Sequence, residues 1–200
     1  MILTSYLKFG KKYTEEMLTD VYMVGQYLDR ADLRGRDLSG VNFSNATLRG
    51  ADLEGANLRG AKFIKADLSR ASLHMADCTG ADFRGADMSM AYMKATLFKN
   101  ADMRLSTIRC AIAKNALFID ADLRGMDFVN AFLLGARFDG SNLEGIRNAD
   151  RAIFEYWLNP DAPGKPVYDY VEGWHRFTES MMGGVSVQDN AARRHGRGFK

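Results

Sequence analysis

From Ala31 to Gly145 a large apolar residue returns at every fifth position without a break. The series Leu33, Leu38, Phe43, Leu48 and onward to Leu143 has twenty-three members, drawn from Leu, Phe, Met and Ile with one Cys (Cys78) and one Ala (Ala113). None is polar. Two residues before each stands Ala in seventeen of the twenty-three cases, the others being Arg36, Val41, Thr96, Ser106, Met126 and Ser141. The residue directly before it is usually Asp or Asn, and the last residue of the unit is Gly eleven times, as at Gly35, Gly60, Gly85, Gly125 and Gly145.

A helix brings a face round every 3.6 residues and a strand every two, so a strict period of five over 115 residues fits neither. The chain must turn once per unit. One side and one corner per unit predicts a square coil of 20 residues, with the large and the small residue of each side pointing inward and neighbouring coils stacked to bury what one unit cannot. At an inter-strand spacing of about 4.8 Å the twenty-three units make a rod roughly 28 Å tall. Glycine at the corners supplies the positive φ that type II turns require. Residues 20 apart then lie above one another, which predicts an inward ladder of Phe43, Phe63 and Phe83 and a second, on a different face, of Phe98, Phe118 and Phe138.

This pattern resembles that of the pentapeptide-repeat family, over 115 of the 200 residues. The resemblance implies an all-β solenoid, a right-handed quadrilateral β-helix. The family includes quinolone-resistance proteins that imitate duplex DNA in shape and negative charge and engage DNA gyrase, which makes a topoisomerase one candidate partner. It also implies that a C-terminal helical module mediates a symmetric dimer, which for this chain points to a homo-oligomer through Ile153, Tyr156 and Trp157.

Open coils need covered ends, because unpaired strand edges invite end-to-end association. Residues 1–30 are read as an N-terminal segment with a capping helix from Thr14, its apolar face made by Met17, Val21, Val24 and Leu28. Residues 31–145 form the solenoid, and 146–159 a C-terminal capping helix started by Asn148, with Ala149, Ile153, Tyr156 and Trp157 aligned. All three prolines fall between Pro160 and Pro166, marking the clearest boundary. Residues 160–200 are then a Pro-rich linker, an amphipathic helix carrying Trp174 and Phe177, and a basic tail with Arg193, Arg194 and Arg197.

Charge narrows the function. Over the whole chain the formal net charge is +2, and residues 31–150 carry 16 Lys and Arg against 15 Asp and Glu. A duplex imitation needs a continuous acidic surface, which a balanced wall lacks. Asp82, Asp102 and Asp122 recur beside Arg84, Arg104 and Arg124; the arginines form either an anion-binding stripe or, the favoured reading, one half of a self-neutralising pair of ladders. The basic tail is read as a solvated terminus, with contact to nucleic acid as the less favoured alternative.

The sharper departure from the pattern lies in the upper coils. Tyr92, Ile112 and Phe132 replace the usual Asp or Asn, with Leu134 beside them, and Leu97, Leu117 and Ile119 do the same round the corner. A contiguous exposed apolar surface marks a binding site. Two occupants stay open: an external protein of unknown identity, or the chain's own Trp174 and Phe177 helix folded back.

No enzyme is expected. His74, His175 and His195 stand far apart with no metal-ligand spacing, and phosphate loops, nucleophile elbows and paired-Cys zinc motifs are absent, so neither metal nor cofactor is expected. Cys78 is predicted inside and Cys110 outside at a corner, which keeps them from bridging. Two unpaired cysteines and no secretory-type start suit a reducing cytoplasmic location. No apolar stretch is long enough to span a membrane, so no membrane partner is expected. The sequence reading is therefore a non-catalytic interaction or scaffold protein, a subunit of a larger assembly, binding through the upper apolar faces and the C-terminal helices. The alternatives are a DNA-mimicking topoisomerase-directed protein and a nucleic-acid binder.

Overall fold

The computed structural model describes residues 23–153 together with the strand pair β1 (Trp157–Leu158) and β2 (Pro166–Val167). Over the first of these stretches the chain winds in a square coil. The second residue of each five-residue unit pairs in parallel with the residue 20 further on, from Tyr27 with Thr47 through Asp32 with Asp52 to Asp127 with Arg147.

Taking Ala31-Asp32-Leu33-Arg34-Gly35 as the pattern, the amides of four of the five residues go to main-chain acceptors. Leu33 N–H donates to Asp52 O at 2.8 Å, Gly35 N–H to Glu54 O at 2.8 Å, and Asp52 N–H back down to Ala31 O at 2.9 Å. The corner is closed by the first residue of the next unit, Arg36 N–H to Leu33 O at 3.3 Å. Only the fourth amide of the unit is left outside this main-chain network, and it decides the chemistry of the outer wall.

The corner residue has positive φ at every fifth position from Gly25 to Gly145, whether or not it is glycine. Asn45, Lys65, Met75, Ala95, Leu105 and Cys110 all lie between 54° and 58° or close to it, up to 59° at Leu105. The coil geometry therefore overrides local preference, at about 1–2 kcal/mol for each side chain held there. At Gly135 a Cβ would also run into the Asn115 side chain, which would have to swing aside.

Inside, the large central residues are buried from Leu28 to Phe138, and the alanines two positions before them from Ala31 to Ala131. Phe43, Phe63 and Phe83 stack with centroids 5.1 and 4.8 Å apart, and Phe98, Phe118 and Phe138 with 5.0 and 4.9 Å. The two ladders, on different faces as expected, meet where Phe83 sets its edge against Phe98 at 5.6 Å. Thr96 and Ser106 occupy the small inward position and are fully buried; their hydroxyls donate to Leu73 O at 2.6 Å and Met103 O at 2.7 Å, which removes the cost of enclosing them.

Both ends differ from the helices expected there. Met23 is helical, but Val24 and Leu28, assigned to the face of a capping helix, already belong to the coil: Gly25 and Arg30 turn its corners and Leu28 fills its centre. The five-residue rhythm simply starts earlier than its clean repeats. The helix predicted over 146–159 gives way to a three-residue 3₁₀ turn, Ala149–Arg151, preceded by Asn148 in the left-handed region with no side-chain cap. The turn adds one residue, so Ile153 pairs with Phe132 at an offset of 21, and Ile153 is buried as part of the ladder rather than offered to a second copy. Trp157, expected on the same helix, lies instead in β1, antiparallel to Val167 of β2. Main-chain partners on the last coil outcompeted the helical pattern, since Ile153 N–H donates to Ala131 O at 2.8 Å and Leu133 N–H donates to Ile153 O at 2.7 Å. The part of the predicted N-terminal helix at 14–22 and the helix around Trp174 and Phe177, together with Tyr156, lie outside the described residues.

Two substitutions test this account by thermal and denaturant unfolding. Phe63→Ala should cost about 3–5 kcal/mol through the cavity left between two stacked rings. Ala95→Gly should gain about 0.5–1 kcal/mol, because relief of the left-handed strain exceeds the added chain entropy; a loss there would show that the corners carry no strain.

Candidate functional site

The fourth amide of each unit needs an acceptor, and the second residue provides it. Arg84 N–H donates to Asp82 Oδ1 at 3.1 Å, Ser69 N–H to Asp67 Oδ1 at 3.0 Å, Thr79 N–H to Asp77 Oδ1 at 3.0 Å and Glu144 N–H to Asn142 Oδ1 at 3.0 Å. This is why Asp and Asn fill that position: a short side chain with an oxygen reaches its own backbone two residues on.

The same carboxylates hold arginines. Arg84 Nη2 lies 2.7 Å from Asp82 and its Nε 3.6 Å from Asp102; Arg104 stands 2.7 Å from Asp102 and 3.6 Å from Asp122; Arg124 lies 2.6 Å from Asp122. The hydrogen bond from the Arg124 side chain holds the Asp122 carboxyl below its ordinary value of 3.8. Burial pushes Asp82 up, yet the bonds from Arg84 outweigh it and hold that carboxyl low as well. The ladders neutralise one another, and the arginines sequence reading offered as an anion stripe are already engaged.

Beside them runs an open groove of about 720 Å³, lined by Ile64, Lys65, Arg84, Arg104, Leu105 and Arg124. Sequence reading missed it. Its signal is the corner column Lys65, Gly85, Leu105, Gly125, Gly145, in which glycines leave the space.

The apolar strip stands on the two adjoining sides. Tyr92 pairs with Ile112 and Ile112 with Phe132; Leu97 pairs with Leu117. Tyr92 is 55%, Ile112 39% and Leu97 37% exposed, whereas Leu117, Ile119, Phe132 and Leu134 are half-buried. Phe132 is set into the wall by its pairing with Ile153, and Leu117 is topped by Arg137. The accessible centre is therefore Tyr92, Ile112 and Leu97, with half-buried Leu117 paired to Leu97, at one end of the seven-residue set read from sequence.

The apolar residues also remove the acceptors. The amides of Lys94, Lys99, Lys114, Ile119 and Leu134, fourth in their units, meet no protein acceptor among the described residues. His74, expected on the wall, donates from Nδ1 to Lys94 O at 2.9 Å. Cys78 is buried and Cys110 exposed, as predicted. Among the described residues no group of His, Cys, Asp and Glu could hold a metal ion, and no helix is long and apolar enough to cross a membrane. Arg193, Arg194 and Arg197 lie outside the described residues.

A sequence model of the family described as pentapeptide repeats matches in eight copies, over residues 27–63, 51–89, 61–100 and 116–147. Solved structures with similar chains include HetL, a pentapeptide-repeat protein involved in heterocyst differentiation regulation from the cyanobacterium Nostoc sp. strain PCC 7120, at 23% identity, 66% of this chain, 75% of that one and a TM-score of 0.33. A pentapeptide-repeat protein of the Arabidopsis thaliana thylakoid lumen matches at 30% identity, 62% and 76% coverage and a TM-score of 0.31. QnrB1, a plasmid-mediated fluoroquinolone resistance protein, matches at 25% identity, 66% and 76% coverage and a TM-score of 0.28. No curated protein matches.

The lowered carboxylates set the acid limit of the wall. Their folded values lie below the unfolded one, so their stabilisation is present above about pH 4 and is lost as pH falls through the depressed values. Unfolding free energy measured in urea should thus be flat between about pH 7 and 5 and decline below about pH 4, with Asp122→Asn reducing the slope.

Proposed function

Since the chain belongs to the pentapeptide-repeat family, a scaffold of stacked coils, we propose that it is a non-catalytic interaction protein which binds another protein through the apolar strip centred on Tyr92, Ile112, Leu97 and Leu117. The observation that carries this reading is the exposure of Tyr92, Ile112 and Leu97 at the position where most of the wall carries Asp, Asn, Ser or Thr. In the column of Tyr92 and Ile112 the lower members are Asp32, Asp52 and Ser72; in that of Leu97 and Leu117 they are Asp37, Asn57 and Asp77. Stability does not ask for the change, because it forfeits a hydrogen bond at each step. Met75, Met90 and Leu105 are exposed as well, but at corners and without a stacked apolar partner in the second position; a contiguous apolar run across two sides fits recognition of a partner's apolar side chains.

Imitation of DNA finds less support. A gyrase-directed mimic needs its carboxylates unopposed, whereas Asp82, Asp102 and Asp122 each hold an arginine at 2.7 Å or less. Nucleic-acid binding through Arg84, Arg104 and Arg124 meets the same objection from the other side, since those guanidinium groups would have to leave their carboxylates first.

The test uses substitutions that the fold already accepts elsewhere. Ile112→Asp and Leu97→Asp install the usual wall residue and return an acceptor to the amides of Lys114 and Lys99. Stability should therefore move by less than about 1 kcal/mol. Tagged wild-type protein should retain a protein partner that the double variant loses and that Arg104→Ala keeps, and light scattering with purified gyrase subunits should show no complex. Retention unchanged by the double variant, or a salt-sensitive complex with gyrase, would overturn the reading.

A further inference from the structure

The strip is more than apolar. Of the five lysines among residues 23–153, three (Lys94, Lys99 and Lys114) stand directly beside it, two positions after Tyr92, Leu97 and Ile112, and all three are exposed. None makes an ion pair among the described residues, and neither do Lys62 and Lys65, while Arg34, Arg49, Arg59, Arg84, Arg104, Arg124 and Arg137 are each paired with an aspartate. On the strip the apolar residue stands where the wall's carboxylate would be. Two carboxylates on these sides are already engaged. Asp77, below Leu97, is held by Arg59 at 3.0 Å, and Asp139 by Arg137 at 3.0 Å, leaving Asp120 at the following corner.

The missing carboxylates also leave backbone donors. The N–H groups of Lys94 and Lys114 sit one coil apart, about 4.8 Å along the rod, with that of Lys99 round the corner. Apolar side chains, ammonium groups and unsatisfied N–H donors thus share one patch, with acceptors in deficit.

Resting on the reading that this strip binds protein, we infer that its occupant is an acidic polypeptide segment studded with apolar residues and supplied by another protein. Its carboxylates take the places that Asp holds elsewhere on the wall, accepting from the Lys94, Lys99 and Lys114 amides and facing their ammonium groups, while its apolar side chains cover Tyr92, Ile112, Leu97 and Leu117. Nucleic acid satisfies the charge but offers no aliphatic groups for the strip, and a purely apolar segment leaves the donors and lysines unanswered.

Fluorescence anisotropy with the full chain tests this, using labelled synthetic peptides that alternate Leu or Phe with Glu, and counterparts with Lys in place of Glu. The Glu peptide should bind and the Lys peptide should not; Lys94→Ala, Lys99→Ala and Lys114→Ala together should weaken the Glu peptide roughly tenfold, the sum of three exposed charge pairs. Ile112→Asp should abolish its binding. Equal binding of both peptides, lost in Ile112→Asp, would overturn the acidic choice while leaving protein recognition by the strip intact. Binding insensitive to Ile112→Asp would overturn both. If the Glu peptide binds only when Trp174→Ala and Phe177→Ala are introduced, the occupant is the chain's own 168–179 segment, which carries Asp169, Glu172 and Glu179, and the external partner is overturned.

Discussion

One amide in five governs this molecule. Stacking the coils at an offset of 20 satisfies the N–H groups of four residues in each unit from the main chain, and no rearrangement of a square coil reaches the fifth. It must be answered by a side chain, by water or by something that binds. Where Asp or Asn precedes it by two residues the answer is internal, and the carboxylate that accepts it can also hold an arginine. The outer wall is in this sense a by-product of backbone accounting, since polar residues there serve the main chain before they serve solubility.

That accounting gives the apolar strip its meaning. In an ordinary globular protein a few exposed aliphatic side chains are unremarkable, because more than half of any protein surface is apolar. Here each one displaces a residue with a definite task, and the displacement appears three times over: as exposed apolar area, as donors without acceptors and as lysines without carboxylates. The Arg84, Arg104 and Arg124 ladder lacks this coincidence, for every charge in it is balanced within the wall.

The period of five made the interior readable from sequence down to individual ladders, since the rings of Phe43, Phe63 and Phe83 follow from arithmetic once the coil holds 20 residues. The corners were half readable. Glycine announces positive φ, but Leu105, Met75 and Cys110 adopt it because the coil on either side leaves no alternative. The ends were misread for a related reason: Val24 with Leu28, and Ile153 with Trp157, fall at spacings that suit a helical face, and only the acceptors waiting on the adjacent coil decide between helix and ladder. Of the strip, the positions were legible but not their depth, because Ile153 stacks over Phe132 and Arg137 over Leu117. The unanswered amides were illegible until the hydrogen bonds of the neighbouring units showed what Asp does there.

The separation between inward and outward positions has a consequence for how such a chain changes over generations. An inward residue is locked to neighbours 20 positions away on both sides, so its replacement disturbs three coils at once. A second-position residue on the wall answers chiefly to one amide of its own unit. Heritable variation can therefore accumulate on the wall while the interior stays fixed, and a recognition surface can be moved up, down or around the rod in whole-coil or quarter-coil steps, each a single codon change, without passing through an unfolded ancestor.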